Sequence, residues 1–353
     1  SVEADWNNSG TINWGTGTVT LTGGDNIITS SGVGFNNLTI PVGAVYTALD
    51  DIAVTGTLTV EGRLRIKTGL TLGAAFVSAA GTIEFSGDSA QTIPAGSYHH
   101  LEITNADNDV AVVGAVSVNG TLRIDEGATL AGGSQSITVN GEWQNDGDFT
   151  GNTSTVILAG ANTTIGGSAT TTFHNLNLQS GATIDIQVSD VPADHVRIAG
   201  TWANNGASFV HGASTVEFIG TSSVVSGSAV TTFQNVRIGA AANVSVATPG
   251  NVVKLVTEWS NDGGTFNHAG TTVEFTSVSG SIGGTSPSVF DTVVLTSDTA
   301  LTVDSSDDLQ IDSALTVPAG ATLNVLDLCV LRIGTSITVG GMLVTTGAFP
   351  TIT

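Results

Sequence analysis

Residues 202–238 read WANNGASFVHGASTVEFIGTSSVVSGSAVTTFQNVRI, and the landmarks of this stretch recur along most of the chain. Its opening, W-x-N-[SDN]-G, appears at Trp6, Trp143, Trp202 and Trp259. A T-V-x-[LF] phrase follows each opening at a near-constant offset, starting at Thr18, Thr155, Thr215 and Thr272. An F-x-[NT]-[LV]-x-[IL] phrase comes next, again at a near-constant offset, from Phe35, Phe173, Phe233 and Phe290. A worn fifth copy keeps TIEF at Thr82 and YHHLEI at Tyr98, with Leu70 about where its Trp should stand. Fixed internal spacing of this kind marks stacked supersecondary units.

Within the quoted stretch and just beyond it, TVEF, SSVV, FQNVRI and VSVA are β-branched, roughly alternating, and separated by Gly, Ser, Asn or Asp. They read as short strands. The gap between the TVEF-type and FQNVRI-type strands is too long for a hairpin and suits one rung of a parallel solenoid. Successive Phe or Tyr landmarks lie 63, 75, 60 and 57 residues apart, which predicts units of roughly three rungs of about 20 residues. The expectation is an all-β chain: a single elongated parallel β-helix of roughly 16–18 rungs with essentially no α-helix. One continuous domain over 1–353 would hold repeats at about 1–80, 81–142, 143–201, 202–258 and 259–299, then a part with shorter rungs at 300–353. Inward Val, Ile, Leu and Phe would form ladders, and the N-D-G and N-N-G turns would supply the positive φ that sharp corners need.

The repeated Trp has two readings. It is either an apolar plug at a wide corner or an exposed platform for sugar stacking. An aromatic six to eight residues on in every copy, at Trp14, Phe149, Phe209 and Phe266, favours the plug.

Eight Lys plus Arg against thirty Asp plus Glu give a formal net charge of -22. Such a chain repels phosphate backbones, which argues against a nucleic-acid partner. Apolar residues alternate with polar ones and no run approaches the ~18 of a membrane-spanning helix. The one cysteine, Cys329, lies in the apolar run LDLCVLRI and reads as a buried small hydrophobe.

Arg63, Arg65 and Lys67 alternate along GRLRIKTG, so their side chains should share a face, meeting acidic neighbours on adjacent rungs or holding an anionic glycan. Arg123, Arg197, Arg237 and Arg332 each precede Ile at an outward position. His99 and His100 are adjacent and, within a strand, should point to opposite faces, which makes a shared metal difficult. Asp304, Asp307 and Asp308 form the densest carboxylate cluster and are the first choice for a Ca²⁺ site, with Asp107 and Asp109 second. No other cofactor is expected. No G-x-S-x-G elbow, H-E-x-x-H, P-loop or Rossmann fingerprint is present, and an enzyme is not expected.

The T-V-x-F and F-x-N-L-x-I phrases, with GATIDI, GATLNV and GATLAG, resemble the β-solenoid repeats of large prokaryotic secreted and cell-surface proteins, including filamentous-haemagglutinin-like adhesins. The resemblance covers nearly the whole chain and implies a parallel β-helix outside the cell, with no functional residue carried over. The expected function is that of a secreted structural protein, a subunit of an extracellular filament, sheath or surface layer. Its partner would be itself, as a head-to-tail homopolymer joined through solenoid ends without caps, since Trp6 opens a repeat at once and the last phrases are strand-like. The alternative is an adhesin stalk or a segment binding cell-surface glycans, and third a polysaccharide lyase or hydrolase.

Overall fold

A computed structural model describes the chain except residues 14, 74, 78–79, 187–195, 248–250, 305–307, 327–328, 347–350 and 353; the side chains of 75, 77, 351 and 352 also lie outside the description. The chain is all-β, a parallel β-solenoid of about 15 turns, with no α-helix among the described residues. Two compact units are distinguished, Ser1–Thr171 with Ala182–Val191, and Thr172–Gly181 with Pro192–Thr353.

Three strands make one coil. In the first unit Gly96–Tyr98, His100–Ile103 and Val110–Val112 are followed by Val116–Val118, Thr121–Ile124 and Thr129–Ala131. Each strand of the second coil pairs in parallel with its counterpart in the first, as Tyr98 with Val118, Leu101 with Leu122 and Val110 with Leu130. Alternation then decides what is inside, because side chains at i and i+2 share a face and register stacks them. The column Leu64, Ile83, Leu101, Leu122 and Trp143 is fully buried. The second unit repeats the arrangement, with Leu176, Trp202 and Val225 in one column and Val236, Trp259 and Ile282 in another.

Turns fewer than the expected 16–18 follow from longer coils. The coil that brings His100 beside Thr82 is much shorter than the one that brings Trp202 beside Leu176. The repeat also does not hold three whole coils. From the strand Thr201–Asn204 the chain passes Ser208–Val210, Thr215–Phe218 and Ser223–Ser226, then both halves of Thr232–Ile238, which is broken by an irregularity between Phe233 and Asn235. Asn243–Ala247 and the first part of Val252–Asn261 follow, and Trp259 lies in the next segment, the eighth. Eight segments fall one short of three coils, so Trp202 and Trp259 lie on different faces of the second unit.

The four motif tryptophans stand within strands rather than at corners. Trp143, Trp202 and Trp259 are buried, and each meets its companion ring: Phe149 at 4.8 Å, Phe209 at 5.0 Å and Phe266 at 4.8 Å. Trp6 is half-buried, 5.5 Å from Phe35, and Trp14 lies outside the described residues. Phe35, Phe173, Phe233 and Phe290 are all buried. The turn after each Trp is built by its asparagine. Asn204 is buried in register with Leu178, and its Oδ1 accepts the N–H groups of Gly206 at 3.0 Å and Ala207 at 2.9 Å. Gly206 and Gly263 have φ of 103° and 107°, the left-handed region that favours glycine. Gly147, in the same place after Trp143, does not adopt positive φ; a Cβ there would lie 2.2 Å from the Asp125 carbonyl oxygen. Cys329 is buried.

Candidate functional site

Five strands of the first unit, Arg63–Ile66, Thr82–Phe85, His100–Ile103, Thr121–Ile124 and Glu142–Asn145, stack in register and align their outward residues. One outward column runs Arg65, Glu84, Glu102, Arg123 and Gln144, and the neighbouring one Arg63, Thr82, His100, Thr121 and Glu142. Between them lies an open cleft of about 540 Å³, with Asp146 at its edge. Its lining is mainly polar.

Arg63 and Arg65 share this face, as alternation predicts, and their charges are cross-linked to carboxylates one and two coils away. The Arg63 guanidinium donates to Glu84 Oε2 at 2.8 Å and to Glu102 Oε1 at 3.1 Å. Arg65 reaches Glu84 at 3.2 Å and Asp25 at 2.9 Å. Bonding to Glu102, opposed by partial burial and reinforced by Glu84, raises the proton affinity of Arg63. Lys67 donates to the Ser86 carbonyl. Arg123, Arg197, Arg237 and Arg332 each pair with a carboxylate: Asp146 at 3.7 Å, Glu217 at 2.6 Å, Asp262 at 3.4 Å and Asp308 at 3.6 Å. The Asp146 carboxyl is pushed up by burial, but donation from the Ser168 N–H at 2.8 Å and hydroxyl at 3.0 Å outweighs this and keeps its proton affinity below the ordinary value. The basic partners are about a third to a half exposed, and pairs of this kind contribute little each. Glu102→Gln is therefore expected to lower stability by at most about 1 kcal/mol, with the difference shrinking at high salt, as read by urea denaturation.

His99 and His100 depart from the expectation of opposite faces. His99 occupies the corner between strands Gly96–Tyr98 and His100–Ile103, where alternation does not hold, and the two rings meet edge to face at 4.4 Å. His100 also performs a task that sequence reasoning missed. Its Nδ1 accepts the Thr121 N–H at 3.0 Å. The same position in other copies of F-x-N-L-x-I is Asn37, whose Oδ1 accepts the Thr57 N–H at 2.8 Å, and Asn175, whose Oδ1 accepts the Thr201 N–H at 3.0 Å. A glycine precedes each of these threonines because the acceptor side chain lies over it. A Cβ on Gly56, Gly120 or Gly200 would lie 2.5 Å from Asn37, 2.7 Å from His100 or 2.7 Å from Asn175. The recurring G-T dipeptide was the available signal.

The expected Ca²⁺ ligands fall on two separate stretches. Asp107 and Asp109 are exposed on a turn organised by buried Asn105, whose Oδ1 accepts the N–H groups of Asp107 at 3.1 Å and Asn108 at 3.0 Å. Asp308 Oδ1 accepts the Val330 N–H at 2.9 Å, so this carboxylate ties adjacent coils. Asp304 is exposed, and Asp307 lies outside the described residues. Among the described residues no three His, Cys, Asp or Glu side chains are grouped to hold a metal.

In the second unit a smaller cavity of about 230 Å³ is lined by Trp259, Asn261, Phe266, His268 and Pro287. Trp143 and Trp202 donate their indole N–H to Thr171 and Thr231, at 3.4 and 3.1 Å. The Trp259 indole N–H has no protein partner among the described residues, and Asn261 donates instead to the Pro287 carbonyl at 2.8 Å.

The chain matches no protein-family model, no curated protein and no solved structure. No helix among the described residues is long and apolar enough to cross a membrane.

Proposed function

We propose that this chain is a structural, non-catalytic protein of the cell exterior, secreted and stacked coil upon coil with further copies of itself in a filament, sheath or surface layer. The observation that carries this reading is the strand Ser336–Val339. Ile337 and Val339 pair in register with buried Leu315 and Val317, and so continue their columns. Yet they are 45% and 43% exposed, and Met342 on the following strand is 59% exposed. Such an apolar column, beside backbone groups already in parallel register, accepts a further coil by strand addition, whether from the same protein or from another copy. A contact between unlike faces of two copies propagates instead of closing.

Sedimentation and electron microscopy of the purified chain test this. Mass should grow with concentration toward linear polymers, and Ile337→Asp combined with Val339→Asp should leave monomers. A wild-type chain that stays monomeric at high concentration would end the reading.

The polar cleft favours a second reading, a segment that binds cell-surface glycans. It offers the Arg123 guanidinium, the Gln144 amide and the Glu142 carboxylate to sugar hydroxyls. Trp143, Trp202 and Trp259 are too buried to serve as stacking platforms. Glycan-array binding lost on Glu142→Ala would support it, and an array without signal would remove it.

A further inference from the structure

The hydrogen bond that joins His100 to the next coil requires an unprotonated Nδ1. An N–H already points at that nitrogen from Thr121, so the neutral ring carries its single hydrogen on Nε2. A second proton has only Nδ1 to occupy. Nδ1 would then be a donor facing a donor, and the link to Thr121 must open. Asn37 and Asn175, which hold the equivalent links to Thr57 and Thr201, have no such liability, because an amide oxygen does not titrate in this range. The geometry points to His100 as a proton-operated latch: neutral, it ties two coils together; protonated, it releases the Thr121 N–H and becomes a cation in the polar cleft.

The surroundings set how readily this happens. His99 touches the ring, and Glu102 lies two residues along the same strand. From neighbouring strands come Arg63 and Arg65, then Glu84, then Arg123, and then Glu142. Partial burial, His99 and Arg63 oppose protonation, whereas Glu102 and Glu142 favour it, and the balance places His100 below the ordinary histidine value. A depressed value in the closed state means that the open state takes up the proton first. The link is therefore intact above about pH 6.5, the ordinary value, and is lost as pH falls toward the lower value of the closed state. Glu102 and Glu142 also give the new cation partners within the cleft, so the cleft gains a positive charge as the coils loosen.

Hydrogen exchange at single-residue resolution on the whole chain, between about pH 8 and about pH 5, tests the latch. After correction for intrinsic rates, protection of the Thr121 amide should fall about tenfold per pH unit below about pH 6.5, while Thr57 and Thr201 hold theirs. His100→Asn, which installs the residue found at the equivalent positions, should make Thr121 protection independent of pH. Equal behaviour of Thr57, Thr121 and Thr201 across the range, whether all stay protected or all fall together, would overturn the proposal. So would a pH dependence at Thr121 that survives in the His100→Asn protein.

Discussion

Trp202→Ala is expected to lower unfolding stability by about 3–5 kcal/mol, the range for deleting a large buried aromatic. Trp202 is fully buried, with Phe209 at 5.0 Å and Phe233 at 5.1 Å. Removing the indole leaves a void beside those two rings. It also orphans the Thr231 hydroxyl, which accepts the indole N–H at 3.1 Å. The surrounding backbone cannot collapse to fill the space, because ladder hydrogen bonds to Leu176 on one side and Val225 on the other fix the distance between coils. The same change at half-buried Trp6 should cost less. Urea denaturation followed by circular dichroism gives both values, and an unaltered midpoint for Trp202→Ala would show that the packed cluster does not support the fold.

Asn204→Leu is expected to destabilise by about 2 kcal/mol, even though leucine matches the column better than asparagine does. Asn204 stacks on Leu178 in a buried, otherwise apolar column, where burial alone would favour the substitution. The asparagine is there for its oxygen. Leucine would leave the N–H groups of Gly206 and Ala207 without an acceptor in a turn whose glycine has φ of 103°. Asn145→Leu, in the first unit, should cost a similar amount through Gly147 and Thr171. A gain in stability from either change would mean that apolar stacking outweighs the turn, and would reverse this account of the W-x-N motif.

Much of the fold was legible because two-residue alternation and fixed spacing leave few ways to bury Val, Ile, Leu and Phe together. TVEF and FQNVRI fall within strands, and SSVV does so from Ser223 onward. The shared face of Arg63 and Arg65 also followed from alternation. What failed was whatever lay between strands. His99 sits at a corner, where alternation carries no information, so its contact with His100 could not be foreseen. Coil number depends on insertions such as the one between Leu176 and Trp202, which change spacing without changing pattern. The role of Asn37, Asn175 and His100 was hidden for another reason. Each looks like a surface polar residue, and only the glycine packed against it shows that its acceptor is directed at the backbone of the next coil.

The eight-segment repeat has a consequence for how such a chain grows. Copying one repeat in tandem does not place the copy's surface residues above the originals; it turns them by one face, a third of the way around the axis. A patch useful on one side would need three successive duplications before it recurred there. Tandem growth of this sequence therefore spreads equivalent surfaces around the coil, as Trp202 and Trp259 already record within the second unit. That geometry serves contacts made from several directions better than a site repeated along a single line.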